Sequence, residues 1–321
     1  MPPKIAFVTN FPAAADFARE MAPADYHLNV VEARGADYQA MIGEAEYLVG
    51  FVDMLVDDRL FRDAPKLKLI QLLSAGYNQA DIEAARRAGV PICNNGGANS
   101  VAVSEHALLL MLAVSRQLVK QHVDVAGGRW RGNAPPKLFE LSGKTLGIVG
   151  FGSIGKKTAR LAKAFGMTVY YYDIRRLTEA EEDALGVRFR LLREILQASD
   201  IVSLHVPLNE STTHMIGAAE FQEMKPEAFL INTSRGPVVD EAALIQALTS
   251  GEIAAAGLDV FDEEPTPPDN PLLKLDNVTL TAHMAGPTFD SHKARVRNAF
   301  DNVARVHRGE APLWVIDELR D

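Results

Sequence analysis

Four short apolar runs open the chain, KIAFVTN (residues 4–10), YLVGFV (47–52), LKLIQLL (67–73) and VPICNN (90–95), in a stretch punctuated by Gly, Pro and Asn. Ala-rich stretches of helical character lie between them, 79–88 among them. Strands alternating with helices imply a parallel sheet covered on both faces. The pattern then restarts with TLGIVG (145–150), MTVYYYD (167–173), DIVSLHV (200–206), AFLINTS (228–234), AAAGLDV (254–260) and VTLTAH (278–283), which predicts a second α/β unit. Between the two sets, residues 100–119 predict one long apolar helix, and 127–136, with Gly, Arg and Pro, an exposed excursion. Residues 291–307 predict a further helix that follows the completed second sheet, so its expected host is the first domain. The fold class expected from this pattern is α/β, with two doubly wound parallel sheets.

Composition narrows the function classes. At roughly 150 residues per domain, 321 residues make about two domains. Apolar residues at 47% and charged residues at 23% are ordinary for a folded globular chain. A formal charge of −9 repels polyanions, so neither nucleic acid nor an anionic membrane is an expected partner, although a local basic site can still take a small anion. The one cysteine, Cys93, cannot form an internal disulfide, and MPPKIAFVTN lacks the cationic and apolar segments of a leader, so the expected location is cytoplasmic. The longest fully apolar run, 107–114, is far below the ~20 residues of a bilayer span.

Gly150-Phe-Gly152-Ser153-Ile154-Gly155 follows a predicted strand and opens a predicted helix over 154–165. In that setting the first glycine permits a tight turn, the second lets backbone approach a pyrophosphate, and the third allows close helix–strand packing. The helix start offers free amides and partial positive charge to phosphates. Asp173 ends the next strand 23 residues after Gly150, where a carboxylate accepts hydrogen bonds from a ribose diol. Arg175 and Arg176 nearby could accept a 2′-phosphate, which Asp173 would repel, so NAD is expected ahead of NADP.

The ends of the later strands carry Arg235, Glu264 and His283. An arginine fork suits a substrate carboxylate, a histidine exchanges protons near neutrality, and a neighbouring carboxylate favours the imidazolium. These are the residue types that reduction of a 2-keto acid requires, with the dinucleotide supplying hydride. No metal is expected. His205 is read as positional or cofactor-adjacent, His106, Met111 and the apolar stripe 108–112 as packing or interface, Cys93 as an inert buried thiol, and Trp130 as exposed or partner-contacting.

In family order, GIVGFGSIGKKTARLAKAFGM, SDIVSLHVPLNESTTHMIG, INTSRGPVVDEAALIQAL, IAAAGLDVFDEEP and TAHMAG resemble the D-isomer-specific 2-hydroxyacid dehydrogenases, which include glyoxylate/hydroxypyruvate reductases, phosphoglycerate dehydrogenases and D-lactate dehydrogenases. The resemblance covers nearly the whole chain. It implies a Rossmann-type NAD-binding domain and a smaller flavodoxin-like substrate domain. It makes Arg235, Glu264 and His283 the catalytic residues, the last two also spaced as in the family, 29 residues from Arg235 to Glu264 and 19 on to His283. By the same resemblance Ala75 and Gly76 join Arg235 and His283 in binding the substrate, Ser100 contacts the cofactor at the hinge, and Pro207, Thr212, Thr233 and Asp259 line the cofactor cleft. The excursion with Trp130 reaches another subunit in relatives, and a homodimer is expected. Where relatives commonly continue His-Ile-Gly and a small polar residue, this chain reads His283-Met-Ala-Gly286-Pro287, so a hydroxyl present in some of them is missing.

The resulting expectation is a substrate domain of residues 1–98 and 288–321, a dinucleotide domain of 99–287, and an active-site cleft between them that closes about hinges near Ala98 and Thr288. The expected activity is reversible reduction of a small 2-keto acid to a D-2-hydroxy acid. The loop 73–78 and the stretch 99–105 contain no Lys or Arg, which favours an uncharged substrate tail such as that of glyoxylate or hydroxypyruvate over a phosphorylated one. The alternative is an NAD-sensing regulatory protein, corepressor-like, on the same fold.

Overall fold

A computed structural model describes residues 2–131 and 137–320, so the last five residues of the predicted excursion lie outside the described residues. The chain divides into two compact units, Met1–Asn99 with Pro287–Asp321, and Ser100–Gly286.

The first unit holds β1 (Lys4–Val8), β2 (His27–Val31), β3 (Tyr47–Gly50), β4 (Leu69–Leu72) and β5 (Ile92–Cys93). They form an all-parallel sheet in the order β2-β1-β3-β4-β5, the flavodoxin arrangement. Both β3 and β4 are buried along their whole length, as strands covered on two faces must be. Strand β2 was absent from the expected elements. Its His-Leu-Asn-Val-Val sequence is mostly solvent-touched at the sheet edge and shows no continuous apolar run. The helix Phe289–His307 starts at a Thr288 capping box and buries Val296, Ala299, Phe300 and Val303 against Ile5, Phe7 and Tyr47. The C-terminal helix therefore completes the core of the first unit.

The second unit holds β6 (Thr145–Val149), β7 (Thr168–Tyr172), β8 (Val187–Phe189), β9 (Ile201–Leu204), β10 (Phe229–Asn232), β11 (Ala255–Leu258) and β12 (Val278–Leu280). All neighbours are parallel, in the order β12-β11-β10-β9-β6-β7-β8. Strand order reverses between β6 and β9, and the carboxyl ends at such a switch point are where doubly wound sheets bind ligands. The three-residue edge strand β8 was also unexpected, again for lack of an apolar run.

The single helix expected over 100–119 is instead two, Ser100–Arg116 and Leu118–Ala126, bent by 61°. Gln117 between them takes a left-handed conformation, φ 49°, which ends the first hydrogen-bond ladder. The first helix packs closely on β11: a Cβ at Gly257 would come within 3.1 Å of Leu110 Cβ and 3.3 Å of Val114 Cγ2. Among the described residues, no single helix is long and apolar enough to cross a membrane.

Candidate active site

The turn from β6 into the helix Ser153–Ala164 has the properties that its three glycines suggest. Gly150 has φ 94°, and a Cβ there would sit 2.6 Å from the His205 carbonyl carbon, where the chain leaves β9. At Gly155 a Cβ would meet Gly150 O at 2.3 Å, so any side chain would push helix and strand apart. Beside Gly152, by contrast, a Cβ would find nothing within 4 Å. Open space over Gly152, with Ser153 and Ile154 beginning a helix whose first amides lack intrahelical acceptors, fits an approaching phosphate.

Asp173 follows β7 and accepts hydrogen bonds from the Phe151 amide at 2.6 Å and the Arg175 amide at 2.9 Å. These bonds tie the carboxylate to the glycine turn, and each oxygen keeps a lone pair for a ribose hydroxyl. Arg176 Nε lies 3.3 Å from Glu182 Oε1 and its guanidinium stacks 5.1 Å from the Phe189 ring centre, so it is engaged within the fold.

At the switch point, the buried Thr233 Oγ1 and His205 Nδ1 have no hydrogen-bond partner among the described residues. Orphaned buried polar atoms are rare, and here they sit at the strand ends where a dinucleotide would lie. Burial pushes the His205 imidazole down to about 4, so the ring is neutral, and its Nε2 pairs with Ser203 Oγ at 2.9 Å. Thr212 donates its hydroxyl to Pro207 O at 2.7 Å and accepts from the Asn209 amide, which shapes the turn that leaves Pro207 exposed. Ser100 is the buried first residue of its helix. Asp259 is only 1% exposed, and its carboxylate is taken up inside the protein by Thr281 Oγ1 and the Met284 and Ala285 amides.

Three adjacent strands deliver the three charged residues. After β10, the buried Asn232 accepts from the Ser234 amide at 3.0 Å and donates to Arg235 O at 2.9 Å, a pinned turn from which the Arg235 side chain departs. After β11, Glu264 Oε1 accepts from the Phe261 amide at 3.0 Å. After β12, His283 Nδ1 lies 2.6 Å from Glu264 Oε2, with the side chains 45% and 36% exposed. Burial alone would raise the Glu264 carboxyl, but hydrogen bonds from His283 and the Phe261 amide, with the positive charges of His283 and Arg235, hold it below the usual carboxylate range. An ionised Glu264 can only accept, so Nδ1 of His283 carries the hydrogen and Nε2 is left to exchange a proton.

Two features of this site were not expected from the sequence. His283 adopts φ 52°, a conformation that costs a non-glycine residue roughly 1–3 kcal/mol. Asp259 sustains it, taking the His283 amide on its backbone oxygen at 2.7 Å and the next two amides on its carboxylate. Gly236 is the other. A Cβ there would lie 1.9 Å from Phe261 O, so the Glu264 loop runs directly over the residue after Arg235. In the first unit, the loop after β4 is closed by Ser74 Oγ donating to Gly76 O at 2.8 Å, with Ala75 and Gly76 partly exposed.

Comparison with known proteins bears on the family and the fold. Residues 108–285 match the family described as D-isomer specific 2-hydroxyacid dehydrogenase, NAD binding domain. The chain is similar to a glyoxylate reductase from Thermococcus litoralis, 43% identical over 283 residues that make up 86% of this chain and 85% of that protein. Among solved structures, a glyoxylate reductase from Paecilomyes thermophila superposes with a TM-score of 0.87 at 30% identity, covering 100% of both chains. D-lactate dehydrogenase with NAD+ from Lactobacillus jensenii gives 0.82 at 27%, covering 98% of this chain and 99% of that one.

Proposed function

The chain belongs to the D-isomer specific 2-hydroxyacid dehydrogenase family, and we propose that it reduces glyoxylate or hydroxypyruvate to the D-2-hydroxy acid with NADH. The observation that carries the mechanism is the 2.6 Å bond between His283 and the ionised Glu264, one strand away from Arg235. A dinucleotide held at the glycine turn would, when bound, supply the hydride for the keto carbon. His283 gives the proton on Nε2 to the keto oxygen, Glu264 holds the ring through Nδ1, and Arg235 orients the substrate carboxylate through its planar fork. The Gly150–Gly155 turn, Asp173 and the Thr233 hydroxyl are assigned to the dinucleotide, with Ser100, Pro207 and Thr212 beside them. Asp259 is assigned to the turn that bears His283. In the first unit, the Ala75 and Gly76 amides are assigned to the substrate carboxylate by resemblance. Glyoxylate relatives support the small substrate, and the buried Arg295 of the first unit stacks on Phe51, enclosed rather than offered to a phosphate.

A homodimer goes with this reading. Val101, Leu109, Leu118, Val119, Val123 and Val125 all lie half or more exposed on the two bent helices, an apolar surface that suits a second copy of the chain. A cytoplasmic location goes with the buried free thiol of Cys93 and with an NADH-dependent reaction. Steady-state kcat/KM for glyoxylate, hydroxypyruvate, 3-phosphohydroxypyruvate and pyruvate, each with NADH and NADPH, tests the proposal. A tenfold preference for the phosphorylated acid, or no turnover of any of the four, overturns it.

A further inference from the structure

His106, read from the sequence as packing or interface, ends a chain of polar side chains that leads to the turn bearing His283. It projects from the helix Ser100–Arg116 with its side chain 14% exposed. Its Nε2 lies 2.9 Å from Thr281 Oγ1 and 3.5 Å from Asp259 Oδ1, while Thr281 Oγ1 lies 2.6 Å from that same carboxylate oxygen. The directions follow from counting hydrogens. A carboxylate only accepts, so the one hydroxyl hydrogen of Thr281 goes to Asp259, and Thr281 meets His106 with a lone pair. Nε2 of His106 therefore donates. The same Oδ1 of Asp259 receives the Met284 amide at 2.8 Å, Oδ2 receives the Ala285 amide at 2.9 Å, and its backbone oxygen receives the His283 amide.

We propose that His106 is a positioning residue for the reaction: by donating to Thr281 it fixes the hydroxyl on Asp259, and through Asp259 it holds the left-handed turn that carries His283. An apolar residue at 106 would leave the Thr281 hydroxyl free to rotate away from Asp259. The carboxylate would then lose an acceptor role that opposes its movement, and the turn at φ 52° would lose part of its restraint. The proposal rests on His283 being the proton donor, so its test includes one readout that does not depend on turnover.

The test compares wild type with His106→Leu, His106→Gln and Thr281→Val. It measures kcat and KM for glyoxylate with NADH, the Kd of NADH, and hydrogen–deuterium exchange of the Met284 and Ala285 amides. Expected for His106→Leu is a kcat lowered about tenfold, with NADH affinity kept within about twofold, since a small misplacement of a catalytic group acts on the chemical step. The two amides should exchange about tenfold faster, following the loss of turn restraint. His106→Gln, whose amide can still donate, should restore most of both, and Thr281→Val should reproduce the Leu phenotype even if His106→Leu fails to fold. Wild-type kcat and exchange in both His106→Leu and Thr281→Val would overturn the proposal, as would equal impairment of His106→Leu and His106→Gln. If wild type itself turns over no 2-keto acid, the functional reading fails, and the exchange rates alone still decide whether His106 holds the turn.

Discussion

Gly236→Ala probes how the proposed catalytic residues are held together without touching any of their side chains. The added Cβ would lie 1.9 Å from Phe261 O, 2.0 Å from Phe261 C and 2.5 Å from Asp262 N. All three are backbone atoms, so no rotamer change relieves the overlap. The first contact is about 1.5 Å short of normal separation, and one of the two backbone segments must move by a comparable distance. The Glu264 loop is the one in the way, because Phe261 also donates its amide to Glu264 Oε1 at 3.0 Å and carries the carboxylate with it. Displacing Glu264 by even 1 Å breaks a 2.6 Å bond to His283 and shifts Arg235, the preceding residue. Misplacements of that size cost roughly 10²-fold, so kcat/KM for glyoxylate should fall by about that factor. Overpacking should also lower stability by about 1–3 kcal/mol. The assay is steady-state reduction at fixed NADH, with NADH binding by fluorescence and thermal unfolding on the same samples. NADH affinity should stay within a few-fold, because the glycine turn lies elsewhere on the sheet. Activity within threefold of wild type in a variant with unchanged unfolding would refute the idea that the approach of these two loops sets the catalytic geometry.

Replacing His283 by Ala should lower kcat for reduction by roughly 10²-fold or more, as expected for a positioned general acid, while leaving NADH binding little changed; activity within a few-fold of wild type would remove it from the mechanism. Glu264, held below the usual carboxylate range by its bonds to His283 and the Phe261 amide, stays ionised and fixes the His283 ring through the 2.6 Å bond to Nδ1. Glu264→Gln should therefore lower kcat for reduction about tenfold or more with NADH affinity kept, because a misplaced proton donor acts on the chemical step, and an unchanged kcat would make Glu264 structural. Arg235→Lys should lower kcat/KM about 10- to 100-fold through loss of a bidentate, charge-assisted contact, read from substrate saturation curves. Asp173→Ala should narrow the NADH-to-NADPH ratio of kcat/KM, and a wild type that already prefers NADPH would overturn the role given to Asp173.

Several parts of the structure were legible in the sequence because a local rule determines them. Central strands such as β3, β4 and β10 are covered on both faces, so they are mostly apolar, and the runs at 47–52, 67–73 and 228–234 show it, with Gln71 and Asn232 as buried, hydrogen-bonded exceptions. The glycine turn is legible for the same reason, since Gly150 and Gly155 leave no room for a side chain. Where the rule relaxes, the reading fails. Strands β2 and β8 lie at sheet edges and are held largely by backbone pairing, which leaves little imprint on side-chain type. The break at Gln117 is set by a single backbone angle in a residue that is otherwise compatible with a helix.

The proposed catalytic residues divide the same way. Arg235, Glu264 and His283 stand out through their chemistry at strand ends and through the family resemblance. What holds them cannot, because it consists of contacts between segments far apart in the chain. Nothing local to Gly236 shows that Phe261 will cross it, and nothing local to His106 shows that Thr281, 175 residues later, will accept its hydrogen bond. Asp259 is the instructive case: its motif points to the cofactor cleft, yet its carboxylate and backbone oxygen together receive four hydrogen bonds from residues 281–285. A buried carboxylate with that many donors is held in place by the turn that it organises, so each stabilises the other. The left-handed His283 is the outcome of that mutual support, and its strain is affordable only while the surrounding bonds over-determine it.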